Sequence, residues 1–190
     1  VTGGFAAGSV HVISPVTGAL VFSIGNPTPK GGDRFGDAVG SVGSNIVVGA
    51  PMDDTGASDA GSAYLYDGSG NLLRTFNNPT PDDGDQFGAA VAAYGNYVVV
   101  GAPQDDTAAM NAGAAYVLNA TTGALVWTLT APSAAGGDFF GNALAIRGDD
   151  VRVDRRVELA VALLVPGRGP DGLRIVGSTA TLDDHLVLVL

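Results

Sequence analysis

The sequence predicts an all-β protein, a partial β-propeller of four-stranded antiparallel blades with two whole blades and partial flanking blades. Three observations carry that prediction. The 190 residues include 29 Gly and 10 Pro, set between short apolar runs of Val, Ile, Tyr and Leu, the punctuation of short strands joined by turns. Phe35-Gly36, Phe87-Gly88 and Phe140-Gly141 recur 52 and 53 residues apart, and Gly49-Ala50-Pro51 returns as Gly101-Ala102-Pro103. Each unit holds four strand-like runs, and four antiparallel strands at a period near 50 mark a propeller blade. A parallel β-helix is the competing repeat, but its coils are usually shorter and lack paired tight turns.

The elements follow in order along the complete unit that starts at Phe35. "FGDAVGSV" (35–42) is the first strand, and a tight turn at Gly43-Ser44 leads to "NIVVGAP" (45–51). A long loop, 52–60, leads to "GSAYLYDG" (61–68), a tight turn at 68–70 to "NLLRTF" (71–76), and a second long loop, 77–85, to the next unit. Gly supplies positive φ in the turns and Pro ends pairing by removing a donor. The flanking copies are partial. Gly8 and His11 stand 53 residues before Gly61 and Tyr64, which return as Gly113 and Tyr116; "TGALVF" (17–22) returns as "TGALVW" (122–127), and "NPTP" at 26–29 returns at 78–81. The expected blocks are a half blade at 1–31, blades at 32–83 and 84–136, the first strand of a blade at 137–150, and a non-repeat tail at 151–190.

Bulk composition narrows the function. A net charge of −10 argues against nucleic acid and anionic membrane as partners. The absence of Cys rules out a disulfide framework and thiolate metal sites. No stretch approaches the ~20 apolar residues of a membrane helix. The chain starts at Val1, inside a repeat, so a fragment or processed chain is expected, and the missing signal says nothing about export.

Phe-Gly, then about a dozen residues, then Gly-Ala-Pro, then Gly-x-x-Tyr resembles the FG-GAP repeat over residues 8–150. That family builds the β-propeller of integrin alpha chains and of many bacterial surface proteins. The resemblance implies a non-enzymatic binding or adhesion module, secreted or at the cell surface, with a protein or glycan ligand and no cofactor. It implies structural roles for the repeated letters. Phe35, Phe87 and Phe140 are expected to wedge between blades. Gly36, Gly88 and Gly141 are expected to permit close strand approach, and Gly49-Ala50-Pro51 and Gly101-Ala102-Pro103 to close the second strand. Calcium-binding members stretch the first hairpin into an Asp-rich loop. Here that hairpin is "VGSN" (42–45) and "YGN" (94–96), without Asp, so no metal site carries over.

The candidate binding face comes from connectivity. In an up-and-down meander the tight turns share one end of each blade and the long loops the other, and loops on a rigid scaffold are where ligands bind. The long-loop end is acidic. Asp53-Asp54 and Asp105-Asp106 follow Gly-Ala-Pro in equivalent places, and Asp82 and Asp83 lie in a blade-joining loop. These six are the candidate ligand contacts, read as exposed; Asp also makes turns by bonding nearby backbone N–H groups. Asp33, Asp85 and Asp138 recur just ahead of Phe-Gly.

No catalytic constellation is visible. His11 occupies the place of Tyr64 and Tyr116 and is expected to pack. His185 lies in the tail, and no nucleophile elbow or phosphate-cradling loop is present. Arg147-Gly148-Asp149 spells an integrin-recognition tripeptide at a turn position. Asn119-Ala120-Thr121 fits the N-glycosylation pattern. "ATTGALVW" (120–127) also resembles the Thr-Gly-x-x-x-Trp element of quinoprotein-type propellers, which leaves a redox enzyme or assembly scaffold as the alternative.

The tail differs in kind. It holds five of the nine basic residues, the only Glu, Glu158, and no Phe-Gly or Gly-Ala-Pro. Out-of-frame translation of a propeller gene, a diverged closing segment and a separate element compete to explain it. An incomplete propeller leaves open strand edges, so edge-to-edge self-association is expected.

Overall fold

The computed structural model describes residues 7–147, 150–154, 159–164 and 175–178. Among them there are fourteen strands and no helix. Strands β1 (Ser9–Ile13) and β2 (Leu20–Gly25) form a two-stranded antiparallel half blade. The first full blade comprises β3 (Val39–Val42), β4 (Asn45–Ala50), β5 (Ser62–Tyr66) and β6 (Leu72–Asn77). The second comprises β7 (Ala90–Tyr94), β8 (Tyr97–Ala102), β9 (Ala114–Asn119) and β10 (Leu125–Thr130). Each blade is a meander with its strands in chain order, as the repeat predicts, and every strand pair is antiparallel. That geometry is a partial β-propeller and excludes a parallel β-helix.

Two differences from the sequence expectation stand out. Phe35-Gly36 and its copies precede their strands instead of opening them, because left-handed backbone at Arg34, Gln86 and Phe139 (φ 54, 58 and 53) and at the following glycines interrupts the extended chain. The last blade also continues past its first strand. After β11 (Ala143–Arg147) come β12 (Asp150–Asp154), β13 (Leu159–Leu164) and β14 (Ile175–Ser178), paired in order as a fourth sheet. No repeat letter announces them. What places β12 is alternation: Val151 and Val153 are 1% and 0% exposed and join the core against the second full blade, as a period-two strand facing a packed layer requires.

The core lies between blades, in three apolar layers. One joins the half blade to the first full blade around Ile24, Phe35, Val48 and Tyr64. The next joins the full blades around Val47, Leu65, Phe87, Val98 and Tyr116. The last packs Val99, Val117, Leu129 and Phe140 against Val151 and Val153. Phe35, Phe87 and Phe140, at 2%, 0% and 2% exposure, are the wedges. Phe87 and Tyr116 hold ring centroids 5.7 Å apart, as do Phe35 and Tyr64, a favourable tilted aromatic contact.

Backbone contact between blades explains the glycines. The Phe87 N–H donates to Ala60 O at 2.9 Å across the interface, and the bond recurs from Phe35 to Ala7 and from Phe140 to Ala112. This close approach leaves no room beside Gly61, where a Cβ would stand 2.0 Å from Phe87 O. Gly49 of the first full blade likewise abuts Gly88 O of the second.

Candidate functional site

The long loops of each blade are tied to the segment that leads into the next. Gly84 N–H donates to Ser58 O at 2.8 Å and Gln86 N–H to Asp59 O at 3.1 Å, so loop 51–61 clasps the joining segment 78–89. One blade later, Gly137 N–H donates to Met110 O and Phe139 N–H to Asn111 O. The result is a continuous loop layer at one end of the propeller, with the tight turns at the other.

The six candidate aspartates divide by position. Asp53 and Asp105 are 3% and 1% exposed, so the expectation of exposed pairs holds only for Asp54 and Asp106. Both buried carboxylates face inward for the same reason. The Tyr64 hydroxyl donates to Asp53 Oδ2 at 2.8 Å, Thr28 Oγ1 lies 3.0 Å from that hydroxyl, and Thr55 N–H donates to Asp53 Oδ1 at 2.9 Å. The cluster repeats at Asp105, with the Tyr116 hydroxyl, Thr80 Oγ1 and the Thr107 N–H. Burial would raise the Asp53 pKa, but the bonds from Thr55, Tyr64 and Thr28 outweigh it and hold the carboxyl below its ordinary value. Burial first, then the neighbouring carboxylates, push the Tyr64 and Tyr116 hydroxyls up.

Asp54, Asp82, Asp83 and Asp106 stand exposed. Each holds a backbone N–H with one oxygen: Asp54 that of Asp59, Asp82 that of Asp83, Asp83 that of Ser58, and Asp106 that of Asn111. Asp54 also pairs with Lys30 at 3.8 Å, an exposed ion pair of small energetic weight. The loop layer thus presents carboxylates whose positions the backbone fixes.

Sequence reading missed the second buried set. Asp33 Oδ2 accepts from Asn26 Nδ2 at 2.6 Å and Lys30 N–H at 2.7 Å, and Asp85 Oδ2 from Asn78 Nδ2 at 2.7 Å and Asp82 N–H at 2.8 Å. The recurrence of "NPTP" with an Asp seven residues after its Asn was the available signal. It showed that the letters repeat, not that they bond one another. Burial pushes the Asp85 carboxyl up to about 6; the charges of Asp105 and Asp82 add to that, while bonds from Asp82 N–H and Asn78 oppose it. A carboxyl raised in the folded state binds its proton more tightly folded than unfolded. Its contribution to stability therefore grows as pH falls through about 6 and levels off near the unfolded value of about 4. Asp85→Asn should raise the urea midpoint at pH 7.5 and shrink the gain the parent shows between pH 7.5 and 5. An unchanged pH dependence would contradict this assignment.

The remaining candidates fall into place plainly. His11 is exposed, with Nδ1 2.8 Å from Ser23 Oγ, so it does not pack as its repeat position suggested. Asn119 Oδ1 accepts from the Thr121 and Thr122 N–H groups, which is turn chemistry. Trp127, the residue behind the quinoprotein likeness, is 42% exposed on outer strand β10. Gly148, Asp149 and His185 lie outside the described residues.

Comparison with known proteins agrees with this architecture. Residues 29–66 and 80–118 match the sequence model of the FG-GAP repeat. No curated protein matches the chain. Among solved structures, the crystal structure of the computationally designed Ika8 protein superposes with a TM-score of 0.54 at 22% identity, over 84% of this chain. The chain spans 41% of that structure's length, and the likeness is one of fold.

Proposed function

We propose that this chain, which carries FG-GAP repeats at 29–66 and 80–118, is a non-enzymatic binding module that takes a protein or glycan ligand on its long-loop end. FG-GAP repeats form β-propeller modules common in adhesion proteins and typical of extracellular or cell-surface proteins. A secreted or surface location fits that family habit. The observation that carries the reading is the clasp between successive loops, Gly84 N–H to Ser58 O and Gln86 N–H to Asp59 O. It turns separate loops into one preorganised surface, which lowers the ordering cost of binding. That surface displays Asp54, Asp82, Asp83 and Asp106 on a chain of net charge −10, so it suits a ligand with a basic patch.

The test is to screen the intact chain against immobilised extracellular-matrix proteins and a glycan array, then repeat each positive with a variant carrying Asp54→Asn, Asp83→Asn and Asp106→Asn. Binding should weaken about tenfold or more in the variant and fall with rising salt. Salt-independent binding untouched by the triple variant would defeat the reading.

A further inference from the structure

We infer that the tight-turn end of the interface between the two full blades holds a second binding site, for a neutral polyhydroxylated ring such as a hexose. A groove of about 340 Å³ opens there, lined by Asn45, Leu65, Leu73, Arg74, Asn96 and Thr121 among others. It lies at the opposite end of the blades from the acidic loop layer. A volume of roughly 300 Å³ is the lower end of small-ligand pockets.

The residue that covers the turn glycine at this end differs between the two interfaces. In the half blade Phe22 occupies the place of Arg74, and its ring covers Gly70 of the next blade, where a Cβ would stand 2.9 Å from a ring carbon. At the second interface Arg74 covers the equivalent Gly123, and its guanidinium reaches across the blades. Nε donates to Ala120 O at 3.3 Å, Nη1 to Thr122 O at 3.1 Å, and Nη2 to Thr121 O. An aromatic ring at that place is thereby replaced by a polar bridge, and Arg74 lines the groove.

The lining selects the ligand class. Leu65 is buried and Leu73 half exposed, giving an apolar floor and wall for the C–H face of a ring. Asn45 and Asn96 supply amides that both donate and accept, as vicinal hydroxyls require. Asn96 Oδ1 already accepts from Thr121 Oγ1 at 2.7 Å, which orients its amide. Three guanidinium nitrogens of Arg74 are engaged by carbonyls, and the chain's charge of −10 repels anions. A neutral ligand fits better than a phosphate or carboxylate.

Titration of the isotopically labelled full chain with glucose, galactose, mannose and N-acetylglucosamine, followed by NMR, tests the site. At least one sugar should give saturable shifts of the Leu65 and Leu73 methyls and the Asn45 and Asn96 side-chain amides, with a dissociation constant of about 1–10 mM. Leu73→Ala should weaken that binding about tenfold while leaving backbone shifts remote from the groove unchanged. Absence of saturable shifts with all four sugars, shifts confined to the long-loop end, or undiminished binding by Leu73→Ala would overturn the site. The long-loop substitutions do not touch this groove, so failure here is distinguishable from failure of the adhesion reading.

Discussion

Alanine at Gly49 or Gly101 is expected to destabilise the protein by about 3 kcal/mol or more. A Cβ at Gly49 would stand 1.9 Å from Gly88 O, and one at Gly101 would stand 2.0 Å from Gly141 O. Neither glycine has left-handed backbone, so alanine meets no conformational barrier of its own. The whole penalty comes from pushing two blades apart at a backbone-to-backbone contact, and packed layers yield little. Moving one blade also disturbs an apolar layer, the one around Val47, Phe87 and Tyr116 for Gly49 and the one around Val99, Val117 and Phe140 for Gly101. Gly25→Ala is the control, since nothing lies within 4 Å of its added Cβ and its φ is ordinary. It should stay within about 0.5 kcal/mol of the parent. Urea unfolding with an unchanged m-value measures all three. Equal midpoints for Gly25→Ala and Gly101→Ala would show that the blades do not rest on this contact.

Asp105→Ala should cost about 2–4 kcal/mol, and Tyr116→Phe roughly half of that. Removing the carboxylate takes the shared acceptor from the buried Tyr116 hydroxyl and from the Thr107 N–H, at a position where Asp105 itself is 1% exposed. Removing only the tyrosine hydroxyl leaves a carboxylate still held by the Thr107 N–H and within reach of Thr80 Oγ1 at 3.5 Å. The two changes share one interaction, so the double variant should lose less than the sum by about 1 kcal/mol. Asp106→Ala, one residue on and exposed, should cost under about 1 kcal/mol. Additive losses from Asp105 and Tyr116 would mean that the hydroxyl and carboxylate act independently.

Much of the architecture was legible because a propeller is a local repeat. Strand alternation, turn glycines and the 52-residue return of Phe-Gly and Gly-Ala-Pro are written within one blade's length, and each blade is a meander of neighbouring strands. The tail shows the limit. Its strands β12 to β14 carry none of the repeated letters, and β12 is placed by the burial of Val151 and Val153 against the preceding blade. A short apolar alternation has many homes in a sequence, and only the waiting apolar face selects one.

The sequence by itself determined the blade, its strand order and the end on which the long loops gather, while the wedge role of Phe35, Phe87 and Phe140 was implied by the resemblance to the FG-GAP repeat. Tertiary structure alone decided which aspartates meet solvent. Asp53 and Asp54 are adjacent and chemically identical, yet one is drawn inward by Tyr64 from eleven residues away and Thr28 from twenty-five residues away. The other faces out beside Lys30. Burial of a charge depends on donors that the fold brings from distant segments, and no property of the Asp-Asp dipeptide records where those donors will arrive.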